Sequence, residues 1–90
     1  MAEVKELELV ENETKVDKNR TLVLYNDDVN TFEFVIDSLV KICKHELMQA
    51  EQCTWIVHYN GKCSVKEGNF RDLRPMRQAL SEKGLTAKIH

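Results

Sequence analysis

The sequence predicts an α+β sandwich in the order β-α-α-β-α-β, with three helices packed against a three-stranded antiparallel sheet. Short runs rich in β-forming residues occur near residue 21, near residue 62 and at the C-terminus. The longer stretches between them carry apolar residues at helical spacing. Asparagine, aspartate and glycine separate these segments, as expected at turns and helix ends. Helices layered on one face of a small sheet form a stable two-layer domain.

The first strand and the first helix are predicted within residues 21–43. Thr21–Tyr25 is rich in β-formers, and the Asn-Asp-Asp run at 26–28 favours a turn after it. We expect Asn30 to cap the next helix, with Glu33 three residues later completing a variant of the capping box. One face of helix 31–43 is apolar and comprises Phe32, Val35, Ile36, Leu39 and Ile42.

A second helix is predicted over residues 46–59, followed by a second strand over 62–67. Asn60-Gly61 ends this helix, because glycine tolerates the left-handed backbone of a helix C-terminus. The side of the helix that we expect to face inward comprises Leu47, Ala50, Thr54, Val57 and His58.

The third helix, predicted over residues 69–83, contains Pro75. Proline removes an intrahelical donor, so an alternative keeps residues 69–74 as a separate turn and begins the helix near Pro75. Gly84 ends the helix, and residues 85–90 alternate in polarity as a last strand. The residues expected to face inward are Phe70, Leu73, Met76 and Leu80.

Residues 1–20 are predicted to be a flexible N-terminal tail ahead of a folded domain at 21–90. Acidic and basic side chains alternate there with only scattered Val and Leu, which offers little apolar surface to offset the entropy of ordering. Two interpretations remain open for this tail. It is either a frayed terminus without a role or a segment that a partner engages.

Composition excludes several classes of function. A chain of 90 residues fits one domain, and its net charge of −2 gives no electrostatic basis for binding nucleic acid. No apolar run approaches the roughly 18 residues of a membrane span, and the N-terminus does not resemble a signal peptide, so we expect a cytoplasmic protein. Cys43, Cys53 and Cys63 fit neither a disulfide framework nor a zinc site, so we expect reduced, buried or half-buried thiols and no metal or other cofactor.

Asn26-Asp27-Asp28 and His58 are the polar features that could carry function. The plain alternative is that they are turn residues and a surface histidine. Catalysis would need a nucleophile with a base and an orienting group, or a metal cluster, and His45, His58 and His90 have no carboxylate or cysteine at ligand-like spacing. We therefore do not expect an enzyme.

Two linked motifs resemble the ClpS adaptor family. The segment from Leu24 to Val35 resembles the family signature of an apolar strand, Asn-Asp-Asp, a short gap and Glu-Phe-Val. Val57-His58-Tyr59-Asn60-Gly61-Lys62 resembles its Val-His-x-x-Gly-Lys segment, and the strand beginning at Leu85 is a third match. The resemblance implies a ClpS-like sandwich and a monomeric adaptor. Such an adaptor binds N-degrons, which are free N-terminal Leu, Phe, Tyr or Trp, and delivers the proteins bearing them to the N-terminal domain of a ClpA- or ClpC-like AAA+ ATPase for degradation.

The resemblance also implies which residues bind. Asn26, Asp27 and His58 match the positions that hold the α-amino group, and acceptors of this kind suit a group that is cationic at neutral pH. The positions of the side-chain pocket are Val35, Thr54, Val57 and Leu85, with Asp28, Asn30 and Phe32 at its entrance. This chain departs from the family pattern at Asn30, Thr31, Phe32 and Thr54, where a small hydroxyl residue, proline, methionine and a bulky apolar residue are more usual.

Two other functions remain open. A ClpS-like regulator could dock on a Clp ATPase without binding degrons, an interpretation motivated by the altered entrance at residues 30–32. The other hypothesis belongs to a different class, the enzymes: a small hydrolase that uses Asp27, Asp28 and His58. It predicts turnover of an ester or amide.

Overall fold

A computed structural model of the chain describes residues 20–90, and it confirms the predicted order of three helices and a three-stranded antiparallel sheet. The expectation of a flexible tail at residues 1–20 falls, apart from Arg20, outside the described residues. The elements are β1 (Arg20–Tyr25), α1 (Phe32–Ile42), α2 (Leu47–Asn60), β2 (Lys62–Gly68), α3 (Phe70–Glu82) and β3 (Thr86–Ile89).

β1 is the central strand of the sheet, in the order β2-β1-β3, and it runs antiparallel to both neighbours. At its C-terminal end, Tyr25 lies opposite Lys62 of β2 and Thr86 of β3. The register with β2 shifts between Leu22 and Val23, which leaves Val65 as an extra residue in a bulge. The first residues of β2 and β3, which follow α2 and α3 in the chain, are therefore held beside the C-terminal end of β1.

All three helices pack on the face of the sheet to which Leu22 and Leu24 of β1 point. These two side chains are essentially fully buried, as are Leu39 of α1 and Leu80 of α3. Burying an aliphatic side chain of this size contributes about 1.5–3 kcal/mol. The core joins every element and comprises Leu22, Leu24, Leu39, Cys43, Ala50, Cys53, Val57, Val65, Leu73, Leu80, Leu85 and Ala87.

Thr31, and not Asn30, caps the N-terminus of α1, so the predicted capping box is wrong. The backbone of Thr31 is extended, with φ −76° and ψ 162°, and its hydroxyl oxygen accepts a hydrogen bond of 3.1 Å from the Phe34 amide. Asn30 cannot serve as the cap because its side chain is committed to Asp27 and to the Gly84 carbonyl. Glu33 lies in the first turn, where a carboxylate is favoured by the helix dipole.

α2 buries a narrower stripe than the sequence predicts. Ala50, Thr54 and Val57 are buried as expected, but Leu47 is 61% exposed and His58 is exposed. The buried stripe also includes Cys53. Because a helix has 3.6 residues per turn, this shifts the centre of the stripe and leaves Leu47 and His58 at its edge. Gly61 ends the helix as predicted, at φ 91° in the left-handed region.

α3 continues through Pro75, so the alternative of a separate turn at residues 69–74 is wrong. Asn69 sets the helix before the proline is reached, because its side-chain oxygen accepts a hydrogen bond of 2.7 Å from the Asp72 amide. Leu73 and Leu80 are buried as expected, whereas Phe70 is 39% exposed. Phe70 instead packs under the guanidinium of Arg20, whose carbon lies 5.4 Å from the ring centroid.

The cysteines are reduced, and they are buried or half-buried as predicted. Burial raises the pKa of the Cys43 thiol to about 11 and, together with the neighbouring Cys53 thiol, that of Cys63 to about 12. Within residues 20–90 the structure has no group of three or more His, Cys, Asp or Glu side chains placed to hold a metal ion. None of the helices in that range is long and apolar enough to cross a membrane.

Candidate functional site

The candidate site forms where three connections meet at the C-terminal end of β1. Immediately after the strand, the Asn26 amide donates a hydrogen bond of 2.9 Å to the Gly61 carbonyl at the end of α2. This bond, following the Tyr25–Lys62 pair, brings the 26–31 loop next to the last turn of α2, where His58 lies. On the other side Leu85 immediately precedes β3, so it too lies beside the end of β1.

A cavity of about 260 Å³ opens at this junction. It is slightly smaller than most ligand pockets, which span about 300–1,000 Å³, so it suits one amino-acid side chain better than a larger molecule. All ten residues predicted from the sequence line it, together with Leu24, Tyr25 and Thr31. The ten are Asn26, Asp27, Asp28, Asn30, Phe32, Val35, Thr54, Val57, His58 and Leu85.

The Asp27 carboxylate organises the loop that forms one wall of the cavity. Its Oδ1 accepts hydrogen bonds of 2.9 Å from the amides of both Val29 and Asn30, an arrangement typical of Asx turns. Partial burial raises the pKa of Asp27, but the donors from the Asn30 backbone, the Val29 backbone and the Asn30 side chain outweigh it, and the pKa lies below its ordinary value. The carboxylate is therefore ionised at neutral pH.

Asn30 ties this carboxylate to the opposite side of the cavity. Its Nδ2 lies 3.1 and 3.0 Å from the two carboxylate oxygens of Asp27 and 3.2 Å from the Gly84 carbonyl oxygen. Gly84 has φ 87° and directly precedes Leu85, whose buried side chain lines the cavity. One amide group thus fixes the loop relative to the α3–β3 turn.

Several acceptors at the cavity mouth are available to a ligand. Neither the Asn26 side chain nor the His58 ring makes a hydrogen bond with any other residue of the 20–90 region. Among the residues that the structure describes, Oδ2 of Asp27 accepts one bond, from Asn30, whereas a carboxylate oxygen has room for about two. An amide oxygen, a carboxylate oxygen and a ring nitrogen therefore remain open at the same mouth.

The interior of the cavity is largely apolar. Val35 is half-buried, and Val57 and Leu85 are almost fully buried. Thr54 is the one residue among the predicted pocket positions with a hydroxyl, and that hydroxyl donates to the Ala50 carbonyl at 2.7 Å within α2. Its donor is thus satisfied without a ligand, so Thr54 does not impose a polar partner on whatever fills the cavity.

Aromatic rings border the mouth. Phe32 packs edge to face against Trp55 and against the His58 ring, with centroids 4.9 and 5.1 Å apart. Sequence reasoning did not single out Trp55, Tyr25 or the Gly84 carbonyl. The four-residue spacing of Trp55 and Tyr59 on a helix could have indicated the first of these, since residues at that spacing are neighbours.

Comparisons with known proteins agree on one family. A profile of the family described as "ATP-dependent Clp protease adaptor protein ClpS" matches residues 15–88. The ClpS adapter of Erwinia tasmaniensis is 40% identical over 58 residues, covering 62% of this chain and 55% of that protein. The ClpS adapter of Pectobacterium carotovorum is 46% identical over 46 residues, covering 49% of this chain and 43% of that protein, so these alignments span about half the length of the curated relatives.

A solved structure shares the fold. Agrobacterium tumefaciens ClpS2, solved bound to L-phenylalaninamide, superposes with a TM-score of 0.69 at 19% identity, covering 82% of this chain and 96% of that one. At that identity the likeness concerns the fold, which here is the same α+β sandwich. Because the family profile covers most of the chain and both sequence relatives are ClpS adapters, this protein belongs to the ClpS family of Clp protease adaptors.

Proposed function

We propose that this protein is an adaptor, not an enzyme, that binds the free N-terminus of proteins beginning with Leu, Phe, Tyr or Trp. The observation that carries the proposal is the group of open acceptors on Asn26, Asp27 and His58 at the mouth of an apolar cavity. L-phenylalaninamide, found bound to ClpS2, has the matching chemistry of a free α-amino group beside an apolar side chain. The same two features would recognise an N-degron here.

Charge supports binding of the α-amino group. An N-terminal amine with a pKa of about 8 is mostly cationic at neutral pH, and the lowered pKa of Asp27 keeps a carboxylate opposite it. Hydrogen bonds between charged partners contribute about 1.5–3 kcal/mol. Acetylating the N-terminus removes the charge and two donors, so an acetylated peptide should bind far more weakly.

The first side chain would occupy the cavity. Val35, Val57 and Leu85 give it apolar walls, and burying a Leu or Phe side chain contributes about 1.5–3 kcal/mol. Small or acidic first residues would leave the cavity unfilled or bury a charge. Selection by the first residue therefore follows from the shape and polarity of the same cavity.

Delivery is the second half of the proposal. The adaptor, as a cytoplasmic monomer, would dock on the N-terminal domain of a ClpA- or ClpC-like AAA+ ATPase and hand over the bound protein without making or breaking bonds. If the N-terminal segment takes part in handover, deleting residues 1–17 should leave peptide affinity intact and impair degradation of a degron-bearing reporter. Unchanged degradation by the shortened protein would rule out that role.

The deciding experiment is a fluorescence-anisotropy titration with labelled peptides that differ only in residue one. We expect binding of free Leu, Phe, Tyr and Trp termini, and loss of binding for Arg and N-acetyl-Leu. Asp27→Ala with His58→Ala should abolish binding while circular dichroism shows a folded protein. Binding of none of these peptides to folded wild-type protein would refute the proposal and favour the regulator that docks without a degron.

A further inference from the structure

Four rings form a continuous surface that begins at the cavity mouth and extends over α2. Phe32 and His58 line the cavity, whereas Trp55 and Tyr59 lie outside it. Trp55 and Tyr59 stack almost parallel, with centroids 5.2 Å apart and an interplanar angle of 4°. Trp55 contacts the Phe32 ring at 4.9 Å, and Tyr59 contacts the His58 ring at 5.0 Å. We call Trp55 and Tyr59 the ring shelf.

The ring shelf is open to solvent. Trp55 is 48% exposed and Tyr59 is 70% exposed, although large aromatic side chains are usually buried. Their stacking holds both rings in place. Because each of these side chains has only two rotatable bonds, the rings lose little further conformational entropy when a ligand binds. Exposed, fixed aromatic rings beside a cavity are a common feature of binding surfaces.

The chain segments that carry the ring shelf and the neighbouring loop have acidic side chains and no basic ones. Residues 26–40 and 45–61, which supply the loop, most of α1 and the whole of α2, contain no lysine or arginine. Asp28, Glu33 and Glu51 in these segments have no ion-pair partner within residues 20–90, where Asp37 is paired with Lys41 at 3.1 Å. Tyr59 also lies in the last turn of α2, where the helix dipole favours a cation.

Resting on the proposed function, we propose that the ring shelf is a second subsite, which binds an arginine side chain at position two of the bound N-terminal peptide. Consecutive Cα atoms lie 3.8 Å apart, so residue two lies at the mouth when residue one fills the cavity. From there a long side chain can cross Phe32 or His58 to the shelf, whose rings are about 5 Å beyond them. A guanidinium combines the planar shape that stacks on rings with a positive charge, which suits segments that carry acidic but no basic side chains.

The test uses peptides with Leu at position one and Arg, citrulline or Ala at position two. Citrulline keeps the planar shape of arginine and removes its charge. We expect the Arg peptide to bind wild-type protein about two- to five-fold more tightly than the Ala peptide, the range for exposed cation–π contacts, with citrulline near Ala. Tyr59→Leu should remove most of this advantage and Tyr59→Phe should retain it, while the affinity for the Ala peptide stays within about two-fold in both.

Ile56→Ala is the matched control, since Ile56 is a partly exposed apolar residue of α2 that makes none of these ring contacts, and it should behave as wild type. Equal binding of the Arg and Ala peptides to wild-type protein would overturn the second subsite and leave the proposed function standing. An Arg advantage that persists in Tyr59→Leu and Trp55→Leu would also overturn it. Failure of every Leu peptide to bind would overturn the proposed function itself, and the second subsite with it.

Discussion

Replacing Asn30 by alanine removes the side chain that connects two walls of the cavity. The Nδ2 group of Asn30 has two hydrogens, and it lies within hydrogen-bond distance of the Asp27 carboxylate and of the Gly84 carbonyl. Asp27 would keep its bonds from the backbone amides of Val29 and Asn30, because the substitution leaves the main chain unchanged. The effect should therefore be a loosened site in a protein that still folds.

The size of the effect follows from the two bonds that are lost. A hydrogen bond to a charged group contributes about 1.5–3 kcal/mol and a neutral one about 0.5–1.5 kcal/mol. Asn30 is only half-buried, so water replaces part of both, and we expect the free energy of unfolding to fall by about 1–2 kcal/mol. Affinity for a Leu peptide should fall about three- to ten-fold, since Asp27 and the turn before Leu85 are no longer held together.

Asn30→Asp provides the sharper version of the same test. It keeps the shape of the side chain but removes the donors, and it places a second carboxylate about 3 Å from that of Asp27. This variant should lose more stability and more affinity than Asn30→Ala at pH 7.

Urea denaturation measures the stability of both variants, and peptide anisotropy measures their affinity. Asn60→Ala is the control, because that asparagine is exposed and its side chain makes no hydrogen bond with residues 20–90. If Asn30→Ala changes the free energy of unfolding by less than about 0.5 kcal/mol and leaves affinity unchanged, the connection does not have the role assigned to it.

Three further predictions concern stability and thiol reactivity. The folded-state pKa of Asp27 lies below its unfolded value of about 3.9, so the stability advantage of wild type over Asp27→Asn should be fully present above that value and lost as the pH falls through the folded pKa. Urea denaturation of both proteins from pH 7 to 3 tests this, and a constant difference in their free energies of unfolding contradicts it. Gly61→Ala should destabilise the protein by about 1–2 kcal/mol, because φ there is 91°. Gly68→Ala, at a strand end with room for a Cβ, should cost less. Equal thermal unfolding midpoints of the two variants would argue against strain at Gly61. Burial raises the pKa of Cys43 to about 11, so this thiol should react with iodoacetamide at pH 7.5 far more slowly in the folded protein than in urea. Equal labelling of the folded and the urea-unfolded protein, measured by mass spectrometry, would show that the core around Cys43 opens readily.

The element order was predictable because it depends on local patterns, and the helix cap was not, because it depends on a distant contact. Asn30 and Thr31 are both good capping residues, so local rules alone cannot choose between them. The choice is made by the Gly84 carbonyl, 54 residues away in the chain, which together with Asp27 engages the Asn30 side chain and leaves Thr31 to cap α1. A capping rule that reads a few neighbouring residues has no access to such a partner.

His45 shows the same limit for burial. A lone histidine in a polar stretch is expected at the surface, yet His45 is only 4% exposed. Its Nε2 lies 2.6 Å from the carbonyl oxygen of Val65, the bulged residue of β2. The carbonyl of this extra residue lies against the His45 ring, so the burial of the ring depends on a sheet irregularity that the sequence does not reveal.

The candidate site was largely predictable because its residues lie at the ends of elements that the sheet register must bring together. What could not be predicted is the effect of the departures at Phe32 and Thr54. Phe32 is braced by Trp55 and His58, so its ring forms a fixed aromatic wall at the mouth. The Thr54 hydroxyl donates to the Ala50 carbonyl. Threonine in place of a bulky apolar residue therefore adds space to the cavity without adding an unsatisfied donor. We therefore propose that a fixed aromatic wall and a roomier interior rank Phe and Trp above Leu as first residues, which the peptide titration would measure directly.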